Sequence, residues 1–484
     1  MTADYIAFHA SGRPDAIAVL ERGREVTYAQ FIRDIRAFTN AARGFGLPRG
    51  SSVAIEWGGW SRAYSHWLLL IAFERLGVVT ATYLRHDRSA PMLADADLVL
   101  SDPQGESGGA KRHQTISDEW LRGVFASSDA EMMAPAPKEP GDPLRILRTS
   151  GTTGNPKRVL LTRQMIDTRV NRWIWSLGIT RAARYLVTAP FSVTAIYNLA
   201  TAVARSGGTV VFGAFDSEGG ITQALATHAI SHVVLNPIRL QRILDSLPED
   251  FVKPASLTLC TIGAATAASL RQRALARLAS EVVVYYSSNE ISFIAETRSS
   301  GSDGPYSVFP WVRAEIVDDT DQPVPPGTLG HIRLQADGMA AAYADDREAT
   351  AALFRNGWFY SGDMGILDGP RLLRVVGRND ELLNIGGQKI APSTLEGLVL
   401  EHAGVGDVGV CSVRNADGIE EVYVALSGAS RNDQELAEQV ARTLAGRNLG
   451  NFYVVKLNAI PRNENGKIER GALKELMVRS QRAG

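Results

Sequence analysis

Cysteine is nearly absent: there are two in 484 residues. Cys260 and Cys411 end the strand-like runs Ser256-Leu257-Thr258-Leu259-Cys260 and Val408-Gly409-Val410-Cys411, where a free cysteine serves as a small core residue. Two isolated thiols exclude a disulfide framework or a zinc cluster. An excess of charge is also missing. The net charge of −1 gives no electrostatic reason to expect nucleic acid or an anionic membrane as partner, and the basic Arg271-Gln272-Arg273 reads as a solvated helix face. Long hydrophobic runs are lacking too. The longest, from Trp67 to Phe73, is too short to span a bilayer, so no membrane insertion is expected. The start, Met1-Thr2-Ala3-Asp4-Tyr5, has no basic region followed by an apolar segment; no signal peptide is expected, and the cytoplasm is the expected address. His228 and His232 have helical i, i+4 spacing, but without a carboxylate or third ligand they make no metal site.

What is present is a balanced globular chain, 45% apolar and 21% charged, too long for one ordinary domain. Strand-like runs (Val53–Ile55, Leu98–Leu100, Thr209–Phe212, His232–Leu235, Glu281–Tyr285) alternate with helical stretches such as Tyr64–Leu76. This alternation predicts an α/β body with largely parallel sheets. The segment 102–142, rich in Gly, Ser, Pro and charge, reads as a surface excursion with little core, with Trp120-Leu121 anchoring a short helix. The character changes near Gly377-Arg378-Asn379-Asp380. Beyond it come a capping box (Ser393-Thr394-Leu395-Glu396) opening a helix to about His402, strands at Val408–Val413 and Val422–Leu426 around the turn Asn415–Gly418, an amphipathic helix at Asp433–Leu444 and a strand at Phe452–Leu457. The expected organisation is a large N-terminal domain, 1–379, and a compact α+β domain, 380–484.

The sharpest motif is Thr149-Ser150-Gly151-Thr152-Thr153-Gly154-Asn155-Pro156-Lys157. Glycines let a backbone approach phosphate oxygens, hydroxyls donate to them, and a lysine adds a point charge. It is not a Walker A loop: Arg158 follows the lysine, no glycine precedes it, and the flanks are an apolar run (Leu144–Leu147) and the strand-like Val159-Leu160-Leu161.

With this loop and four further motifs in order over nearly the whole chain, the sequence resembles the acyl-adenylate-forming enzymes: acyl- and aryl-CoA synthetases, adenylation domains and luciferases. The resemblance implies a multi-sheet α/β N-terminal domain that binds AMP and the acyl group, and a small mobile α+β C-terminal lid. It also implies ATP and Mg²⁺ as reactants. In the first motif Arg158 stands where the family usually has Gly, adding a charge near the loop mouth. Tyr285-Tyr286-Ser287-Ser288-Asn289-Glu290 is similar to a family Tyr-Gly-x-Thr-Glu pattern, with Ser287 and Asn289 departing from it. It implies that Tyr286 stacks on adenine, Asn289 touches the α-phosphate and Glu290 holds Mg²⁺, a hard cation suited to carboxylate oxygen. Ile262-Gly263-Ala264-Ala265 is assigned by the same resemblance to the opposite adenine face.

Trp358-Phe359-Tyr360-Ser361-Gly362-Asp363 is similar to the family's Tyr-x-Thr-Gly-Asp segment, which implies Asp363 on the ribose hydroxyls, a task suited to two acceptor oxygens. Gly377-Arg378-Asn379-Asp380 implies Arg378 on ribose or phosphate and Asp380 as hinge, with the Gly386-Gly387 loop against a thiol tunnel. Pro461-Arg462-Asn463-Glu464-Asn465-Gly466-Lys467 implies that Lys467 bridges the substrate carboxylate and the α-phosphate, lowering the repulsion between two approaching anions.

The acyl pocket is expected to draw on Ala189-Pro190-Phe191-Ser192-Val193-Thr194-Ala195-Ile196-Tyr197-Asn198. No Asp is present to pair an ammonium group, and an unpaired buried ammonium is costly, so an α-amino acid is not expected. A neutral-tailed aryl acid or short-to-medium acyl chain is expected. The expected activity is carboxylate activation with pyrophosphate release, then transfer to a thiol. CoA is the favoured acceptor and a carrier-protein phosphopantetheine arm the alternative. Less favoured are a luciferase-like oxygenase and a non-catalytic nucleotide-binding regulator.

Overall fold

The computed structural model describes residues 1–85, 91–103, 111–127, 139–149, 157–213, 217–298, 304–385, 388–402, 405–414, 420–428, 433–445, 452–462 and 466–483. Two large sheets make up most of the chain before residue 380. In the 14-stranded sheet, six strands run parallel in the spatial order Glu281–Ser288, Thr258–Thr261, His232–Leu235, Arg184–Leu186, Thr209–Phe212, Ile17–Glu21. Most read as short continuous apolar runs because both sheet faces are covered. The other half is antiparallel and includes Trp358–Gly369 and Leu372–Arg378. A six-stranded sheet built around Ser52–Glu56 packs alongside, parallel except for its last hairpin.

The helix Ala63–Leu76 shows why an unbroken apolar run folded here as a helix. Thirteen of its positions, Ala63 to Arg75, are buried, and a helix apolar all round is a core helix. Trp67 is fully buried and meets Phe31, Phe191 and Phe212. In the stretch 102–142, the expected short helix is found at Asp118–Ala126: it buries Leu121 and Val124 in the main core, and Trp120 packs on Phe38 and Phe45.

Beyond the strand Leu372–Arg378, the chain forms sheets of its own: the hairpin Leu383–Ile385 with Gln388–Ile390, and Asp407–Arg414, Glu420–Ser427 and Phe452–Lys456. The helices Pro392–His402 and Asp433–Leu444 cover the latter sheet with Leu395, Val399, Leu436 and Val440. Glu396 does not fold back on the helix start as a capping box would. Its carboxylate accepts from the Val410 N–H at 2.8 Å and from Arg470 at 2.6 Å, a tertiary ion pair outcompeting a local cap. The turn 415–418 lies outside the described residues.

Candidate active site

In open α/β sheets, ligands gather at the carboxyl ends of the strands. Thr261 pairs in register with Leu235 on one side and with Val284 on the other. Asn236, Gly263 and Tyr286 therefore leave neighbouring strands at one end of the sheet. Gly263, Ala264 and Ala265 are exposed, and Gly263 has φ +89°. A Thr266-to-Thr261 hydroxyl bond of 2.8 Å closes the loop.

Tyr286 sits where the parallel half of the sheet meets the antiparallel half, at a bulge before Ser287. Its phenol donates to Asp363 Oδ2 at 2.5 Å and lies 3.2 Å from Ser361 Oγ. Burial, and then the Asp363 carboxylate, push this phenol well above its ordinary range. Asp363 and Arg378 are register partners on adjacent strands. Arg378 Nη1 donates to the Ser361 carbonyl at 2.6 Å and stands 3.8 Å from Asp363 Oδ1. Burial works against the Arg378 charge, but Asp363, Asp380 and Glu381 outweigh it and hold the guanidinium above its usual value. Gly362 is required between them. At φ +78°, a Cβ there would meet Arg378 Nη2 at 2.8 Å.

A second group lies at the end of the same strand. The buried Glu290 accepts from the Tyr343 phenol at 2.7 Å through Oε1, and its main-chain carbonyl accepts from Arg169 at 3.1 Å and the Ala340 N–H at 2.8 Å. The Tyr343 ring carries Lys157 Nζ at 5.2 Å from its centroid, within cation–π reach. Tyr343 thus joins the carboxylate to the lysine of the Gly-rich motif. Of that motif, Ser150, Gly151, Thr152, Thr153 and Gly154 lie outside the described residues, as do Gly386 and Gly387. Its ends are fixed by the hairpin of Pro143–Arg148 with Arg158–Thr162, closed by a Thr149 N–H bond to the Lys157 carbonyl at 2.8 Å. Arg158 adds no loose charge at the mouth, since it pairs with Asp95 at 2.8 Å and Asp345 at 2.7 Å.

Asn289 ties both groups to the acyl segment. Its amide donates to the Arg148 carbonyl at 3.1 Å, and its Oδ1 accepts from Thr194 at 3.2 Å. Thr194 begins the helix Thr194–Arg205, and Phe191 before it lies in an aromatic nest of Trp57, His66, Trp67 and Tyr197. Arg145, a charge within the run Leu144–Leu147, fixes this segment from below. It donates to the Phe191 carbonyl at 2.6 Å and lies 4.0 Å over the Tyr197 ring.

Lys467 follows Gly466, whose φ is +77° and whose added Cβ would meet Asn236 Nδ2 at 2.9 Å. The lysine loop therefore rests at the carboxyl end of His232–Leu235. Lys467 Nζ stands 3.3 Å from Glu381 Oε1. Sequence reasoning missed three members: Tyr343, Arg145 and Glu381. The signals for the last two were a cation inside an apolar strand and adjacency to the Gly377–Asp380 motif; Tyr343 gave none, because only the fold brings it to Glu290. Among the described residues there is no group of three or more His, Cys, Asp or Glu that could hold a metal ion, and no helix long and apolar enough to cross a membrane.

The profile described as AMP-binding enzyme matches residues 6–344. An indoleacetate–CoA ligase of Aromatoleum aromaticum is 28% identical, the match covering 99% of this chain and 98% of that protein. A fatty acid–[acyl-carrier-protein] ligase, ScoC, of Streptomyces coeruleorubidus is 26% identical over 97% and 95%. The ATP-bound MatB of Rhodopseudomonas palustris shares the fold with a TM-score of 0.85 at 21% identity, over 98% of this chain and 99% of that one. With a matched profile that runs through the Gly-rich loop, Tyr286 and Glu290, the chain belongs to the AMP-binding enzyme family, the acyl-adenylate-forming ligases.

Proposed function

We propose that this ligase activates an aryl or arylalkanoic acid as its acyl-adenylate and passes the acyl group to the thiol of CoA. The observation that carries this reading is the contact of Asn289 with both the Gly-rich hairpin stem and the acyl-segment helix, which supports a carboxylate bound beside the α-phosphate. A carboxylate oxygen attacks the α-phosphorus, the bond from that phosphorus to its bridging oxygen breaks, and pyrophosphate leaves. The thiolate then attacks the acyl carbon and AMP leaves. Asp363 and Arg378 hold the ribose, and Tyr286 with Gly263, Ala264 and Ala265 encloses adenine. Thr149 and Lys157 anchor the loop Ser150–Gly154 for the outer phosphates. Lys467 neutralises charge between the two approaching anions. Residues 1–379 and 380–484 act as a body and a turning lid, with Asp380 as hinge.

Glu290 fits Mg²⁺. It is a buried carboxylate held by Tyr343 through one oxygen, and no described residue hydrogen-bonds the other. Bound there, the ion would neutralise phosphate charge. An aryl acid is supported by the absence of a carboxylate from 189–198 and by relatives named for indoleacetate and ferulate.

The test is pyrophosphate exchange across a panel of carboxylic acids, with AMP release then scored separately with free CoA and with a phosphopantetheinylated carrier protein. Aryl acids should lead the panel and CoA should be the better acceptor. Acid-independent exchange, or a preference for α-amino acids, sinks the reading.

A further inference from the structure

Glu381 directly follows the proposed hinge residue, in a turn whose Glu381 and Leu382 N–H groups both donate to the Arg378 carbonyl. Its carboxylate is only 16% exposed and is shared by two cations: Lys467 Nζ at 3.3 Å on Oε1 and Arg470 Nε at 2.9 Å on Oε2. Arg470 is itself fixed, donating to Glu396 at 2.6 Å and to the Val410 carbonyl at 2.7 Å. The chain of contacts therefore runs from the helix and sheet of the C-terminal region, through Arg470 and Glu381, to the one lysine assigned to the adenylating step.

A lysine side chain on its own is a flexible four-carbon stem, and about 2 kcal/mol of rotamer entropy opposes holding it in one place. A half-exposed lysine in a glycine-containing loop would spend little time aimed at a reacting phosphate. A carboxylate within ion-pair distance, itself held by Arg470, removes most of that freedom, and an ammonium carries three donors in all. Burial would raise the Glu381 carboxyl, but Lys467 and Arg470 outweigh it and keep it ionised.

We infer that Glu381 is the positioning residue for Lys467: it belongs to the lid, travels with the lysine as the lid turns, and delivers the ammonium pre-aimed to the adenylating geometry. The inference rests on the reading of Lys467 given above. Because Glu381 acts through Lys467, its loss should affect the adenylating half-reaction alone.

The experiment is a double-mutant cycle on the full-length enzyme, with adenylation read as pyrophosphate exchange and thiol transfer read separately from synthetic acyl-adenylate. Glu381→Gln should lower kcat for adenylation by about tenfold, with KM for ATP changed by less than about twofold. Transfer from acyl-adenylate should stay within about twofold of wild type, and Glu381→Asp should recover part of the loss. In a Lys467→Ala background, Glu381→Gln should cost nothing more. If Glu381→Gln fails to fold, Glu381→Asp is carried through the same cycle, with a smaller loss that should again vanish in the Lys467→Ala background. Equal loss in both half-reactions, or a loss that adds in full to Lys467→Ala, overturns the inference. A strong Lys467→Ala effect beside a silent Glu381→Gln overturns this inference alone. Wild-type exchange in Lys467→Ala overturns the assignment of the lysine itself.

Discussion

The Tyr343 phenol donates to Glu290 at 2.7 Å while its ring faces Lys157, so one side chain sets both the carboxylate proposed for Mg²⁺ and the lysine proposed for the phosphates. Burial, and then Glu290, hold this phenol far above its usual range, so it stays protonated and donating. Tyr343→Phe removes the hydrogen bond and keeps the ring. A hydrogen bond to a charged group is worth about 1.5–3 kcal/mol. The variant should therefore need more Mg²⁺ for half-maximal pyrophosphate exchange and lose about tenfold or more in kcat/KM. An unchanged Mg²⁺ requirement would separate Tyr343 from the metal site.

Asp363→Ala should weaken ATP binding in calorimetry by about tenfold or more, through the lost ribose contacts and the freed Tyr286 and Arg378 side chains. The melting temperature should move by only a few degrees, because Asp363 is partly exposed on the strand Trp358–Gly369 and is not part of the apolar core. Unchanged ATP affinity would leave the Ser361-Gly362-Asp363 turn a structural feature only.

Asp380→Pro tests the hinge. Proline fixes φ near −65°, so a residue that must adopt two backbone conformations is trapped in one. Gly466, next to Lys467, already rests against Asn236 at the strand ends, and adenylation should survive. Thioester formation should fail. Wild-type levels of both on one preparation would remove rotation about Asp380 from the mechanism.

His66 supplies a pH-dependent term in stability. It is buried, with Nε2 at 3.0 Å from Thr82 Oγ1 and Nδ1 at 3.2 Å from the Glu56 carbonyl. Burial, and after it the Arg145 guanidinium, push the imidazole down to about 3 from 6.5. The unfolded chain therefore binds a proton that the fold refuses between those values. The stability is fully present above about pH 6.5 and falls as the pH drops toward 3, at up to about 1.4 kcal/mol per unit. His66→Gln should flatten that slope in denaturant melts between pH 6.5 and 5. Parallel curves for the two proteins would show that His66 protonates freely in the fold.

The sequence by itself determined the elements and the reactive chemistry. The strands at 209–212, 232–235 and 281–285 and the helix 433–444 were legible because apolar periodicity is a local property of the chain. Thr149–Lys157 stood out because its residue types suit phosphate, and the roles proposed for Glu290, Asp363, Arg378 and Lys467 come from short motifs in which the chain resembles its family. Tertiary structure decided what those motifs touch. Tyr343 reaches Glu290 across 53 residues and Arg470 reaches Glu381 across 89, and no local pattern encodes such pairs. It also decided against two local readings: Glu396 left its cap for Arg470, and the charge of Arg158 was neutralised by Asp95 and Asp345. The physical reason is the same in each case. A partly buried charge is stable only beside a partner, and which partner lies within reach is set by the packing of distant segments.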